Sequence, residues 1–528
     1  MRDFQKPERS EVFSSNGMIA TSHPLAAKIG LDAMSKGGNA IDAAITSALM
    51  LVLCEPQSTG LFGDAFAIIK SKKSEGIIGL NGSGKAPMNL SSDTLLSENM
   101  AKIPLNSPHS VTVPGAVALF EEVANKFGNL GLKELCTQPI KYAEEGVVVS
   151  PRVSFDWETH REKLIGSSEK FYLSSGRPYR AGSLFRAPMQ AEVLRQIAAQ
   201  GSKGFYQSDI TVDLVNSLQE LGGVHTLDDF EDVSVQYVEP IYADLKDGST
   251  LIELPPNGQG ITAIMMKKLM ELCHIERFKA DSFERVHLEA EIAKIAYSAR
   301  NNFIGDPNFS KIKQNIFTDE PYLKQLSKEI SLGELLSDNL EDDFFMRNKD
   351  TVLICAADNE GNAISLIFST FHAFGSGLSS RKYGLLFHNR GAGFTLKKNH
   401  PNELLGGKRP LHTIIPAILK EKNGSIMPFG VMGGQYQANG HARILSNIKD
   451  YGMEFQEALN FPRSFYFDGV LNLERGYPKA TREKLSKMGY KIEEANIPIG
   501  GGQMVRFDSS GVLIGASDPR KDGCALGY

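Results

Sequence analysis

The 528-residue chain is poor in cysteine, has one tryptophan and shows no excess of positive charge. Cys54, Cys136, Cys273, Cys355 and Cys524 are odd in number and widely spaced, which argues against a disulfide framework and against a cysteine-built metal site. A formal net charge of -5 gives no basic footprint, so no nucleic-acid partner is expected. The most apolar stretch, Ala40 to Cys54, is short for a bilayer crossing and contains Asp42. A buried helix is the expectation there, with no membrane partner. The opening MRDFQKPERSEVFSS is charged and has no apolar core, so no secretory signal is expected and the cytoplasm is the expected compartment. HExxH, CxxC and EF-hand patterns are missing, as are a GxxxxGK[ST] phosphate loop and a GxSxG elbow. No metal and no other cofactor is expected. His287 and Glu291 fall one helical turn apart, a spacing read here as a surface pair.

What is present is an ordinary globular composition, 41% hydrophobic and 23% charged, long enough for several lobes or one large layered domain. SHPLAAKIGLDAMSKGGN predicts a helix, with Ser22 as its cap, Pro24 in its first turn and Gly37-Gly38 at its end. Asn39 is placed to cap the next helix, apolar nearly all round and stopped before Pro56. FAIIK and IIGLNG read as strands, and the region from about Leu90 to Met346 reads mostly as helices. From Lys349 the pattern changes. TVLICAAD and NAISLIFS predict a hairpin with Gly361 in its turn, and IIPAILKEKNGSIMPFGVMGG predicts two more strands. HARILSNIKDYG and FQEALNF follow as helices, and QMVRFDSSGVLIGASD as a late hairpin. Continuous apolar strands flanked by helices predict an α/β layered fold with sheets covered on both sides, much of the central sheet lying after Thr351.

Two features invite chemistry. Thr351 opens the first strand of the hairpin directly behind Lys349-Asp350, and in isolation a strand threonine packs and nothing more. Gly433 and Gly434 in VMGGQ let a backbone approach a ligand, or they make a plain loop between strand and helix.

The blocks SSNGMIATSHPLAAKIGLDAMSKGGNAIDAAITSALMLVLCEPQSTGLFG, TVPGAV, PPNGQG, DNEGNAIS, FGSG, GKRPLHTIIP, GVMGG and GASDPR…GY resemble, in the same order, those of the γ-glutamyltransferases, also called γ-glutamyltranspeptidases. The resemblance covers nearly the whole chain. It implies a four-layer αββα sandwich of the N-terminal nucleophile hydrolase type. It implies a zymogen that cuts itself between Asp350 and Thr351 into residues 1–350 and 351–528, together one layered catalytic domain. The partner of each fragment would be the other, in a heterodimer or a dimer of heterodimers. Thr351 would be the threonine nucleophile, with its new α-amine as base. Ser369 would support it, standing where the family has a hydrogen-bonding threonine. Gly433 and Gly434 would form the oxyanion hole. The substrates would be small-molecule amides such as γ-glutamyl compounds, glutathione among them, cleaved by hydrolysis or acyl transfer.

The family's glutamate grip is altered. Ser83 stands where an arginine binds the α-carboxylate, His412-Thr413 where a serine pair stands, and Phe371 where an asparagine stands. Gly393 replaces the acid that takes the α-amine, and Arg390 lies just upstream. These changes resemble the acylase-like branch, so acylase activity on glutaryl-type side chains is the alternative, with Arg390 and His412 as candidate holders of an acyl carboxylate. A rival of another class is an uncleaved, inactive binding scaffold.

Overall fold

The computed structural model describes residue 5 and residues 8–231, 233–311, 315–337 and 351–528. Asp350, one side of the expected cut, lies outside the described residues.

Among the described residues, fourteen strands form two seven-stranded antiparallel sheets. In chain order they are β1 (Val12–Ser14), β2 (Gly17–Thr21), β3 (Asp64–Lys70), β4 (Ile77–Gly82), β5 (Gln236–Val238), β6 (Ile241–Asp244), β7 (Thr250–Glu253), β8 (Val352–Asp358), β9 (Ala363–Ser369), β10 (Ala417–Lys420), β11 (Ile426–Met432), β12 (Gly501–Phe507), β13 (Leu513–Ser517) and β14 (Cys524–Gly527). The first sheet runs β14-β2-β8-β9-β3-β4-β5 and the second β1-β13-β12-β11-β10-β7-β6. Both sheets therefore mix strands from before and after Thr351, in equal number overall. The part before Thr351 is helix-rich, as expected, and β5, β6 and β7 are short strands within it that the sequence reading did not place. Strands of three or four residues are too short to show alternation, and these three sit at the sheet ends away from the hairpin.

The strand residues explain the layering. In β8, Leu353, Cys355 and Ala357 pack between the sheets with Met18, Phe66, Ile367, Ile418 and Val505. Val352, Ile354 and Ala356 face the other way, into the core with helices α1 (Pro24–Ser35) and α2 (Ala40–Cys54). Both faces are apolar because both are covered. On the outer side of the second sheet, Leu251, Leu419, Phe429 and Val431 meet Ile264 of α3 (Gly260–Leu272) and Ile444 of α4 (Gln437–Lys449). The result is the αββα sandwich.

All residues of α2 are buried, and each Leu or Ile side chain so placed contributes about 1.5–3 kcal/mol. Asn39 caps α2 in a box with Asp42. The Asp42 carboxylate accepts N–H bonds from Asn39, Asn129 and Leu130, so the one charge in this apolar helix is satisfied. The cap of α1 differs from expectation. His23 Nδ1 accepts the Leu25 N–H at 3.2 Å, while Ser22, one residue too far out, hydrogen-bonds Glu55.

His287 and Glu291 are not a surface pair. They lie on the helix Phe283–Phe303, both fully buried, and Tyr490 bridges them, its hydroxyl 2.8 Å from His287 Nδ1 and 2.5 Å from Glu291 Oε1. The strands Ser464–Phe467 and Val470–Leu473 and the helix Lys479–Lys487 cover this face, a packing partner far away in sequence.

Candidate active site

Strand register brings polar residues together at one end of the first sheet. Val352 pairs with Phe368, Ser369 with Asp64, and Ala65 with Gly82. One further step places Thr351 opposite Ser369 and Ser83 opposite Asp64. Thr351, Ser369, Asp64 and Ser83 thus form a row across four strands. They share the face of Leu353, Ile367 and Phe66, which looks toward the second sheet. All four are buried.

The facing wall is the end of β11. After Met432 the chain turns through Gly433, φ 133°, and Gly434, φ 59°, and enters α4. Gln437, the first residue of α4, donates from Nε2 to Thr351 Oγ at 3.4 Å and accepts the Ile415 N–H at 3.0 Å. The turn is held from behind. Gln259 Nε2 bonds the carbonyls of Thr413, at 2.7 Å, and Gly434, at 3.3 Å. Arg300 Nη1 ties Gln259 Oε1 to Gln435 Oε1, and the Tyr297 hydroxyl donates to the Gln435 carbonyl. Such bracing fixes the orientation of the glycine turn. A Cβ on Gly433 would lie 2.8 Å from Gly500 Cα, at a φ that side chains rarely adopt. Gly433→Ala is therefore expected to cost about 1–3 kcal/mol, read as a lowered denaturation midpoint; an unchanged midpoint would contradict the close approach.

The other half of the site is charged. Asp64 Oδ1 accepts the Gly84 and Gly115 N–H groups at 3.0 and 3.3 Å, and Oδ2 accepts from His412 Nε2 at 3.0 Å. A carboxylate only accepts here, so Nε2 carries the His412 proton. Burial, then the Arg390 charge, pushes the His412 pKa down to about 3, so the ring is neutral and Nδ1 is a bare acceptor. Nδ1 has no partner among the described residues. The reading of His412 as an anion holder is corrected accordingly: a neutral ring with an open lone pair does not attract a carboxylate. His388 stands 3.9 Å from Asp64 and is likewise neutral, burial lowering its pKa to about 3.

Arg390 is fully buried, not exposed. Its Nη1 donates to Thr413 Oγ at 3.1 Å, and its guanidinium lies 4.1 Å from the centre of the Phe371 ring. Nε and Nη2 have no partner among the described residues. Burial works against this charge, and Asp64 supports it. Phe371 adopts a left-handed backbone, φ 80°, and its N–H donates to Ser369 Oγ at 2.8 Å, so the platform under Arg390 is fastened to the strand residue opposite Thr351. Ser83 is spent otherwise. Its hydroxyl bonds Asn81 Oδ1 and accepts from Asn257, and its carbonyl accepts from Arg409.

All the predicted site residues within the described chain therefore gather at one end of the sheets. Sequence reasoning missed Asp64, Gln437, Gln259 and Arg300. Asp64 carried the same signal as Thr351, a polar residue at the head of an apolar strand in GDAFAIIK.

Comparison with known proteins agrees with this geometry. The family profile described as Gamma-glutamyltranspeptidase matches residues 26–528. A glutathione hydrolase-like YwrD proenzyme of Bacillus subtilis is 30% identical, over 98% of this chain and 99% of its own. An oxamate amidohydrolase proenzyme of Klebsiella pneumoniae is 29% identical, over 98% and 99%. The crystal structure of cephalosporin acylase from Bacillus halodurans superposes with a TM-score of 0.90 at 32% identity, covering 100% of this chain and 99% of that one. The chain belongs to the gamma-glutamyltranspeptidase family of N-terminal nucleophile hydrolases.

Proposed function

We propose that this enzyme is a zymogen that cuts itself after Asp350 and then uses Thr351 to cleave amides whose acyl group ends in a carboxylate. The observation that carries the reading is Thr351 itself. It is a buried hydroxyl at the inner head of β8, held by Gln437, with Ser369 across the strand and the Gly433-Gly434 turn on the facing sheet.

An interior threonine hydroxyl is a poor nucleophile with no base of its own. In the first step Thr351 Oγ bonds to the Asp350 carbonyl carbon, the bond from that carbon to the Thr351 nitrogen breaks, and the hydroxyl proton passes to the nitrogen, so the acyl group moves from nitrogen to oxygen. Water then hydrolyses the ester. Asp350 ends one fragment as a carboxylate, and Thr351 begins the other with a free α-amine. Such an amine has a reference pKa of about 7.7–8.0, near the pH at which a general base works best. In turnover the amine takes the Oγ proton while Oγ bonds to the substrate carbonyl carbon. The Gly433 and Gly434 N–H groups meet the oxyanion, each donor worth about 3–4 kcal/mol in the transition state. The leaving amine departs with the proton, and water or an acceptor amine then takes the acyl group from Thr351. Ser369 positions Phe371 and the nucleophile.

Arg390 is the acyl anchor, because its buried, open N–H groups match a carboxylate. Both γ-glutamyl and glutaryl groups supply one. The two fragments stay together as a heterodimer, since each sheet contains strands from both. Brief exposure to glutaryl p-nitroanilide or γ-glutamyl p-nitroanilide, followed by acid quench and mass mapping, is expected to find the acyl group on the peptide beginning at Thr351. Turnover with an acyl adduct on any other side chain would overturn the assignment.

A further inference from the structure

Asp64 has no part in the chemistry above, yet it is the carboxylate at the centre of the acyl side of the site. It is fully buried, opens β3 opposite Ser369, and spends both oxygens on Gly84, Gly115 and His412. Its charge offsets that of Arg390, so this pair is close to neutral overall. Around Asp64 the unspent atoms among the described residues include donors on Arg390, Nε and Nη2, and acceptors on two histidines, His412 Nδ1 and His388 Nδ1, of which Asp64 holds only the His412 ring by a hydrogen bond. Thr413, the residue after His412, is the one whose hydroxyl takes Arg390 Nη1.

We propose that Asp64 is a specificity-determining residue. By taking the Nε2–H of His412 it leaves Nδ1 as an acceptor, so the site favours acyl groups that carry an N–H or O–H donor beside their carboxylate over acyl groups with a bare carboxylate. The proposal rests on the acyl-carboxylate reading of Arg390. The chemistry runs through a proton position. A bare carboxylate uses the Arg390 donors and leaves the His412 lone pair buried and unpaired, which is costly. A carboxylate flanked by an amino or hydroxyl group satisfies both. An ammonium group also sits better beside a site whose fixed charges cancel than beside an unbalanced guanidinium. Asp64 thus does remotely what the missing acid at Gly393 does not do directly.

Asp64→Asn separates the two roles. Its amide oxygen can still accept the backbone N–H groups, but its NH2 must donate to His412 Nε2. The ring proton then moves to Nδ1, and the acceptor becomes a donor. The ratio of kcat/KM for γ-glutamyl over glutaryl p-nitroanilide is expected to fall at least fivefold, mainly through KM, with the protein still cut before Thr351. An unchanged ratio in correctly cut Asp64→Asn protein would overturn the proposal while leaving the Thr351 reading intact. Wild-type protein that is never cut would strike the Thr351 reading instead. If Asp64→Asn does not fold, the wild type decides. Ring-nitrogen correlation spectra of 15N-histidine-labelled protein, with His412 assigned through its packing on the Phe66 ring, are expected to show protonated Nε2. A proton on Nδ1 would refute the proposal.

Discussion

Thr351→Ala is expected to remain a single 528-residue chain with no measurable amidase activity. On the proposed mechanism the substitution removes the one hydroxyl that would both make the cut and carry the acyl group. It also prevents the α-amine from forming, so the base disappears with the nucleophile. The fold should survive. The ladder of β8 begins at Val352 against β9 and at Ile354 against β2, so it does not depend on the Thr351 side chain, and the hydrogen bond that Gln437 donates to Oγ is long, at 3.4 Å. Circular dichroism like that of the wild type, with one band on a denaturing gel, is the expected picture. Thr351→Ser keeps the hydroxyl and is expected to restore the cut. Normal processing in Thr351→Ala would remove Thr351 from the mechanism.

The second large effect is expected at Arg390. Arg390→Leu removes the open donors that match an acyl carboxylate while keeping apolar volume over Phe371. A hydrogen bond to a charged group is worth about 1.5–3 kcal/mol, and removing two such bonds together with the ion attraction places the effect near the upper end. At 1.36 kcal/mol per tenfold, kcat/KM for glutaryl and γ-glutamyl anilides should fall by roughly 100-fold, chiefly through KM. The anilide of a neutral acyl group should change little. Self-cutting should persist, because Arg390 touches Thr413 and Phe371 rather than Thr351. Equal losses for charged and neutral acyl groups would mean that Arg390 supports the fold and not the substrate.

Much of this was legible in the residues because the signals were local. Asn39 capping α2, Gly361 at the hairpin turn and the apolar runs of β8 and β9 need only neighbours in sequence. The family resemblance of the ordered motifs pointed to Thr351, Ser369 and the Gly433-Gly434 turn, which the structure brings to one end of the sheets. What stayed hidden depends on partners far along the chain. Asp64 meets His412 across 348 positions, and no pattern around either residue announces the other. The neutral state of His412 follows from burial beside Arg390, which composition cannot show. The same holds for His287 and Glu291, whose cover comes from Tyr490 and the strands before it. The short strands β5, β6 and β7 are fixed by pairing with longer neighbours and not by their own residues.

Self-processing at Thr351 is the point on which the rest depends. Intact-mass measurement of purified wild-type protein, with N-terminal sequencing, tests it directly. The expected result is two species, residues 1–350 and 351–528, which co-elute under native conditions, the second beginning Thr-Val-Leu-Ile. A chain that stays at full length after prolonged incubation, or a cut that leaves any residue other than Thr351 at the new N-terminus, would contradict it.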